Sequence, residues 1–203
     1  MARQQDWTRD LLLAAALLAA TWAFVFLRQR RREARPVYLA PTPACGDDEP
    51  ATPRQTAGPF FKANTPVRTS LIEPGIEGER VILEGYVVST RCRPVAGARI
   101  ELWHAGRRGH YDLFGYRLRG HQDTDAAGRY RFETIMPGSY AVRTRHYHIK
   151  VQVPGRPALT TQLYFPGKWR NRWDVFFRRR LLMDIDDKPD GKRARYDFVL
   201  DLP

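Results

Sequence analysis

Two histidines separated by one residue, His146 and His148, are the pattern in this sequence that points most directly to metal chemistry. Residues two apart on an extended strand face the same side, so both imidazoles can reach a single ion. A straight strand would hold Tyr140 about 20 Å from His146, which is too far for one metal to bind both side chains. If the two share an ion, the chain must turn back between them, and Arg143 would then lie beside the metal.

A second tyrosine, Tyr111, follows a predicted strand and the glycines Gly106 and Gly109, which let backbone approach a site closely. Two phenolates and two imidazoles form a hard ligand set. A phenol has an ordinary pKa of about 10, so ionising it at neutral pH calls for a strongly acidic cation, and Fe(III) suits this better than zinc or magnesium. Each residue alone also has an ordinary explanation, because strand tyrosines are usually packing residues and paired histidines are common in proteins.

Short runs of β-branched and aromatic residues, divided by turn signals, make up the chain from residue 80 onward. About seven strands at this spacing favour an all-β fold, an antiparallel β-sandwich or barrel. Helix is expected to be scarce in this region, with room for a short one at residues 173–183. The predicted strands are residues 81–89, 98–105, 129–134, 140–144, 146–153, 159–165 and 194–202.

An uncharged apolar run at residues 11–27, followed by an arginine cluster, predicts one N-terminal transmembrane helix that anchors the chain in a membrane. A cleaved signal peptide is the alternative, but residues 1–10 carry little net positive charge and no Ala-x-Ala site follows. The positive-inside rule keeps the arginines in the cytoplasm, so a single-pass topology with a cytoplasmic domain is expected, an exported domain being the alternative.

Prolines among short polar residues indicate an extended linker between the predicted anchor and the folded domain. The chain therefore divides into four parts: a tail at residues 1–10, the anchor at 11–27, a basic flank and proline-rich linker at 28–57, and a folded domain at 58–203.

The two cysteines, Cys45 and Cys92, allow at most one disulfide, and the sequence does not decide whether they pair.

The formal net charge of +12 is compatible with a nucleic acid, an anionic membrane or an anionic substrate. One group of basic residues flanks the predicted anchor, and a second lies between residues 170 and 195. No nucleic-acid-binding motif accompanies the second group, so a solvated basic surface is the simpler interpretation and no nucleic-acid partner is expected. The oligomeric state is left open by the sequence.

A set of short motifs occurs in fixed order between residues 58 and 167. They include Gly-Pro-Phe-Phe from Gly58, Pro-Val-Ala-Gly-Ala from Pro94, Ile-Glu-Leu-Trp from Ile100, Gly-His-Tyr ending at Tyr111, Thr-Ile-x-Pro-Gly-x-Tyr ending at Tyr140, Arg-x-x-His-x-His from Arg143, and Thr-Gln-Leu-Tyr-Phe from Thr161. In order and spacing this set resembles the intradiol ring-cleavage dioxygenases, the family of protocatechuate 3,4-dioxygenase and catechol 1,2-dioxygenase. The resemblance continues more loosely to the end of the chain.

Carried over residue by residue, the resemblance implies an Fe(III) ion bound by Tyr111, Tyr140, His146 and His148. Tyr140 would be the axial tyrosine that leaves the iron when substrate binds, and His146 the axial histidine. The other two ligands would be equatorial.

The resemblance also implies two catalytic side chains besides the metal ligands. Arg143 matches the family's active-site arginine, with Arg145 as the fallback, and Gln162 matches its active-site glutamine. The implied reaction is intradiol cleavage of a catechol-type aromatic by O2 to a cis,cis-muconate-type product. The arginine would stabilise carbanion character on the bound catecholate.

The sequence departs from the family in three respects. The segment between Tyr140 and Arg143 is shorter than in protocatechuate dioxygenases, there is no room for the N-terminal helical dimerisation region of catechol 1,2-dioxygenases, and an anchor is predicted. Several of the same motifs also resemble transthyretin-like and carboxypeptidase-regulatory-like modules, so the alternative is a non-catalytic binding module anchored to a membrane. Such modules have no reason to carry Tyr111, the two histidines and Gln162 at these positions.

Overall fold

Two β-sheets form the framework of the computed structural model, which describes residues 50–202. Most of the strands coincide with the β-branched and aromatic runs of the sequence, as strand propensity predicts. The strands are β1 (Arg80–Ser89), β2 (Arg99–Trp103), β3 (Arg119–Asp123), β4 (Arg129–Ile135), β5 (His146–Gln152), β6 (Leu159–Tyr164), β7 (Asp184–Lys188), β8 (Gly191–Arg195) and β9 (Phe198–Leu200).

One sheet has five strands in the order β4-β1-β8-β7, with β9 also paired to β1. The other has four strands in the order β3-β2-β5-β6, and all its pairs are antiparallel. The all-β fold with two sheets is therefore confirmed. The antiparallel sandwich that was predicted also contains two parallel pairs, because the hairpin of β7 and β8 returns the chain in the direction of β1, and β8 and β9 pair with β1 in parallel.

Strand β5 divides its side chains between the two faces of the four-stranded sheet, as the two-residue period of a strand requires. Tyr147, Ile149 and Val151 belong to the buried hydrophobic core that includes residues of both sheets. We call this side the inner face. His146 and His148 project from the opposite side, the outer face, and are buried there as well.

The covering coil, residues 52–61, buries the outer face. Its backbone is tied to both sheets, since Thr52 N donates to Val199 O at 2.9 Å and Gln55 N donates to Thr160 O at 2.7 Å. Contacts with the sheets thus begin before residue 58, where the sequence analysis placed the start of the folded domain. The coil holds backbone directly over the histidines.

The structure differs from the predicted strands in four places. Residues 140–144 form a turn, described below, and β3 and β7 were not predicted because their sequences contain few β-branched residues. The strand predicted at residues 194–202 is interrupted after β8. There the chain passes so close to β1 that a side chain at Gly85 would collide with Tyr196 O, and Asp197 Oδ1 accepts a hydrogen bond from Tyr86 N at 2.9 Å.

Two short 3-10 helices, Trp169–Arg172 and Arg179–Leu181, follow β6. Residues 50–202 contain no α-helix. Residues 173–183, where the sequence left room for a short helix, form only the 3-10 helix Arg179–Leu181, and before it the chain bends inward to bury Asp174.

The N-terminal predictions concern residues that the structure does not describe. Within residues 50–202, none of the helices has the length and apolar character needed to cross a bilayer. The anchor predicted at residues 11–27 lies outside that range and stays a prediction. Cys92 is disulfide-bonded, and the only other cysteine in the sequence is Cys45.

Candidate metal centre

A tight turn reverses the chain between Tyr140 and β5. Arg143 N donates to Tyr140 O at 2.8 Å, and the two residues form an isolated antiparallel bridge. Ala141 has a φ of 45°, in the left-handed region that such a reversal uses. The reversal expected from the tyrosine and histidine spacing is confirmed, and the strand predicted over residues 140–144 is wrong. As a result the rings of Tyr140 and His146 lie 5.7 Å apart, centroid to centroid.

The two histidines converge on one point, with their Nε2 atoms 3.2 Å apart. Two nitrogen ligands at right angles around one ion, each about 2.1 Å from it, would be about 3 Å apart. His146 Nδ1 lies 2.7 Å from Thr144 O, so Nδ1 carries the proton and the lone pair of Nε2 faces the centre. The His148 ring is oriented by stacking on Trp103, with centroids 5.1 Å apart and planes within 7°.

The covering coil packs directly against His148 and Tyr111. Gly58 has a φ of +69°, and a Cβ at this position would lie 3.2 Å from His148 Cε1. Only glycine combines this conformation with so close an approach. Two residues further on, the ring of Phe60 stacks on Tyr111, with centroids 4.4 Å apart, and Phe60 O accepts a hydrogen bond from Arg119 Nη1 at 2.7 Å.

Tyr111 completes the group. Its ring centroid is 5.4 Å from that of Tyr140 and 6.3 Å from that of His148. The Tyr111 hydroxyl is buried near Tyr140 but makes no hydrogen bond of normal geometry. An unsatisfied buried hydroxyl costs about 1–3 kcal/mol, a cost that a bound cation would remove.

Burial sets the protonation states of these ligands. It lowers the pKa of His146 to about 4, helped by the charge of Arg143, and it lowers the pKa of His148 in the same direction. Both imidazoles are therefore neutral near pH 7 and available as ligands. Burial also raises the pKa of Tyr111 well above its ordinary value, with the neighbouring Tyr140 adding to the shift. Only a strongly acidic cation would ionise this phenol at neutral pH.

The donor set therefore fits a ferric ion better than zinc or magnesium, because two neutral imidazoles are joined by two phenols. No cluster of three or more His, Cys, Asp or Glu residues suited to a metal occurs in residues 50–202. The centre has only two residues of those types, so its phenols would have to supply the remaining protein ligands.

Arg143 is buried beside the histidines and held by three side chains. Its Nε donates to both carboxylate oxygens of Asp174, at 2.9 and 3.1 Å, and its Nη2 donates to Gln162 Oε1. The ring of Phe176 lies 4.6 Å from its guanidinium carbon. Asp174 Oδ2 accepts a further hydrogen bond from Thr144 N at 2.9 Å, so the carboxylate joins the arginine to the turn.

Gln162 lies across the β5–β6 pair from His148. Its Nε2 donates to Thr56 O in the covering coil at 3.0 Å, which directs Oε1 toward Arg143. The fallback residue Arg145 instead contacts the sulfur of Met136. The structure thus brings Arg143 and Gln162 to the centre and directs Arg145 elsewhere.

The sequence analysis missed several residues that shape this centre: Asp174, Phe176, Trp103 and Phe60. Asp174 had one available signal, since it is the only acidic residue between Lys168 and Arg180. A lone carboxylate in a basic segment is a candidate for an internal ion pair. Phe60 and Trp103 also had a signal, because they lie in the Gly-Pro-Phe-Phe and Ile-Glu-Leu-Trp motifs, whereas nothing in the local sequence of Phe176 distinguishes it from a core residue.

Comparison with known proteins agrees with this arrangement. A family model described as Dioxygenase matches residues 56–202. Catechol 1,2-dioxygenase 2 of Acinetobacter lwoffii is 31% identical over 154 residues, which cover 63% of this chain and 56% of that protein. Catechol 1,2-dioxygenase of Pseudomonas sp. (strain EST1001) is 30% identical, over 70% of this chain and 55% of that protein. The chain therefore spans about half the length of these curated relatives.

Solved structures show the same fold. The dioxygenase domain of a dioxygenase carbohydrate-binding protein fusion from Streptomyces sp. SirexAA-E superposes with a TM-score of 0.74 and 45% identity, over 76% of this chain and 100% of that one. Catechol 1,2-dioxygenase from Acinetobacter sp. ADP1 gives a TM-score of 0.69 and 26% identity, over 75% of this chain and 63% of that one. With the family match extending across both sheets and the whole candidate centre, this chain belongs to the intradiol ring-cleavage dioxygenase family.

Proposed function

We propose that this protein is a non-haem Fe(III)-dependent dioxygenase that cleaves a catechol-type aromatic with O2 to a cis,cis-muconate-type product. The observation that carries the proposal is the convergence of Tyr111, Tyr140, His146 and His148, with the Tyr111 hydroxyl buried and unsatisfied. The names of its relatives, which include catechol, chlorocatechol and protocatechuate dioxygenases, support the same reaction class.

These four residues would hold the ferric ion. When bound, the ion would act as a Lewis acid that makes ionisation of the catechol hydroxyls accessible near neutral pH. Tyr140 and Tyr111 are both only partly buried, whereas both histidines are buried. The choice of Tyr140 as the phenol whose oxygen would take up one catechol proton rests on the family resemblance.

Arg143 supplies the fixed positive charge. Asp174 and Gln162 hold its guanidinium in one orientation beside the histidines. Such a preorganised cation stabilises negative charge that develops on the ring of a bound catecholate, without reorganisation during the reaction. The rings of Phe60 and Trp103 pack on Tyr111 and His148 and exclude water from that side.

The decisive experiment is optical. The full-length chain, loaded with Fe(III), is expected to show a visible tyrosinate-to-iron charge-transfer band that shifts when catechol is added without O2. Admission of air should then consume O2 and produce the ultraviolet absorption of a muconate. A protein that stays colourless and iron-free after reconstitution would overturn the proposal and leave the non-catalytic transthyretin-like module as the interpretation.

We also propose that the folded domain works outside the cytosol, held at the membrane by the anchor predicted at residues 11–27. The support is the disulfide at Cys92, because stable disulfides are rare in the cytosol. This favours the exported alternative over the cytoplasmic orientation expected from the positive-inside rule. An alkaline phosphatase fused after the last residue should be active in cells. The export proposal would be contradicted if that fusion were inactive and if a reporter that fluoresces only in the cytoplasm were fluorescent at the same position.

A further inference from the structure

Large hydrophobic side chains exposed to solvent are concentrated around the candidate centre. Of the eight in the described part of the chain, seven lie in three segments that also carry residues of the centre. The exception is Val67. We call the seven the aromatic collar: Leu113, Phe114, Val142, Trp169, Trp173, Val175 and Phe176.

Each collar segment is joined directly to the chemistry. Phe114 is 96% exposed and follows Tyr111 by three residues, and Val142 precedes Arg143. Phe176 packs its ring on the Arg143 guanidinium and remains 39% exposed. The collar therefore consists of solvent-exposed side chains that neighbour the residues of the centre, in sequence or by direct contact.

The three segments also contact one another. A Cβ at Gly109, just before Tyr111, would collide with Ser139 O, so this loop packs against the turn. On the other side of the turn, Arg170 Nη1 donates to Ala141 O at 2.8 Å, and its guanidinium lies 5.2 Å from the centroid of the Trp169 ring. The three segments that carry the collar are thus joined through the turn, and exposed apolar side chains grouped in this way mark a candidate binding site.

The charges beside the collar argue against a second copy of the chain as its occupant. Lys168, Arg170, Arg172 and Arg178–Arg180 lie in the same stretch as its two tryptophans, and the one acid there, Asp174, is paired internally with Arg143. A twofold contact through this surface would bring like charges together without compensation. A ligand that is aromatic and carries acidic or phenolic oxygens is complementary to both features.

We infer that the collar binds the distal part of the substrate, so that the preferred substrate is a catechol bearing a second aromatic ring rather than a monocyclic catechol. The inference rests on the proposed function of the centre for the position of the catechol ring. With that ring beside Arg143, a substituent directed outward would meet Phe176, whose ring packs on the Arg143 guanidinium. Trp173 and Phe114 are the exposed aromatic residues nearest in sequence to Phe176 and to Tyr111. Flat aromatic surfaces and arginine guanidinium groups both favour an aryl group in this place.

The test compares anaerobic binding of 4-phenylcatechol and 4-methylcatechol to the full-length, Fe(III)-loaded chain by titration calorimetry. The wild-type protein is expected to bind the phenyl compound roughly tenfold more tightly, from burial of the second ring. The double variant Phe114→Ala/Trp173→Ala should reduce this ratio to about twofold or less, because most of that contact area is removed. Val67→Ala, which removes an equally exposed apolar side chain outside the collar, should keep the wild-type ratio.

Two outcomes would overturn the inference. One is a wild-type ratio near one, or a ratio that the double variant leaves unchanged while its melting temperature shows that it is folded. The other is a wild-type dimer that the double variant converts to a monomer in sedimentation velocity, which would assign the collar to a protein contact. Failure of the proposed function gives a different result, since the wild-type protein would then show no visible band or no O2 consumption with catechol, whereas failure of the collar inference leaves both intact.

Discussion

Over His146–Ile149 the two faces of β5 are equally buried, and they differ in how their polar atoms are satisfied. On the inner face, Tyr147 donates its hydroxyl to Ile135 O at 2.9 Å, and its neighbours in the cluster are hydrocarbon side chains. On the outer face, His148 Nδ1 and the Tyr111 hydroxyl have no hydrogen-bond partner in the part of the chain described. One strand therefore contributes both to a core whose polar atoms are satisfied and to a face with unpartnered buried polar atoms.

This difference shows how a functional face can be distinguished from a core face. Burial does not separate them, because His148 is 1% exposed and Ile149 is 0% exposed. Polar satisfaction does: four of the five unpartnered buried side-chain atoms in residues 50–202 belong to residues around the centre. They are Trp103 Nε1, Tyr111 Oη, Arg119 Nε and His148 Nδ1.

The strongest test of the comparison removes an outer-face imidazole. His148→Ala should lower retained iron by at least about tenfold, with loss of the visible band and of turnover. Removal of a residue that only orients a ligand already lowers metal affinity by about 10–100-fold, and removal of the ligand itself should cost at least as much. Iron would be measured by mass spectrometry after desalting, and folding by circular dichroism.

The matched control is the adjacent inner-face residue. Ile149→Ala should lower the free energy of unfolding by about 2–5 kcal/mol through the cavity it leaves and should retain iron under native conditions. If both variants lost iron equally, the two faces would not be functionally distinct.

A second prediction concerns the carboxylate that holds Arg143. Asp174→Asn keeps the acceptor for Thr144 N but replaces the charged partner of the Arg143 Nε. We expect kcat for catechol to fall by about a hundredfold as the guanidinium loses its fixed orientation, while KM changes by no more than about threefold because the metal ligands are intact. The visible band and its shift with anaerobic catechol should persist. An unchanged kcat would remove Asp174 from the catalytic arrangement.

The last prediction compares replacement of tyrosine by phenylalanine on the two faces. Its effect on the free energy of unfolding is the smallest of the three, but the sign is expected to be opposite on the two faces. In the metal-free protein, Tyr111→Phe removes an unsatisfied hydroxyl and should stabilise the fold by about 1 kcal/mol, whereas Tyr147→Phe removes a satisfied one and should destabilise it by about 1 kcal/mol. Urea unfolding of both variants, monitored by fluorescence, measures the difference. Destabilisation of equal size in both would show that the Tyr111 hydroxyl has a partner in solution.

The sequence predicted the reversal at Tyr140 because strand geometry left no other way for that residue to meet His146. It could not predict Asp174, which contacts Arg143 from 31 residues away in the chain, nor the parallel pairing of β1 with β8 and β9. Both depend on how distant segments return to one place, and local residue patterns do not encode that. Strand β7, with the sequence Asp-Ile-Asp-Asp-Lys, was missed for another reason: it is formed by its hairpin with β8, and its own composition disfavours strands.

The covering coil would also determine how fast a metal bound at the centre could exchange. Thr56 O accepts a hydrogen bond from Gln162, Phe60 O accepts one from Arg119, and Gly58 lies against the His148 ring. A chelator can approach that histidine only after these contacts open together, which is a local unfolding event with its own free-energy cost. Iron loss from the folded protein is then limited by the opening rate of a ten-residue segment, and it becomes independent of chelator concentration once the chelator is in excess.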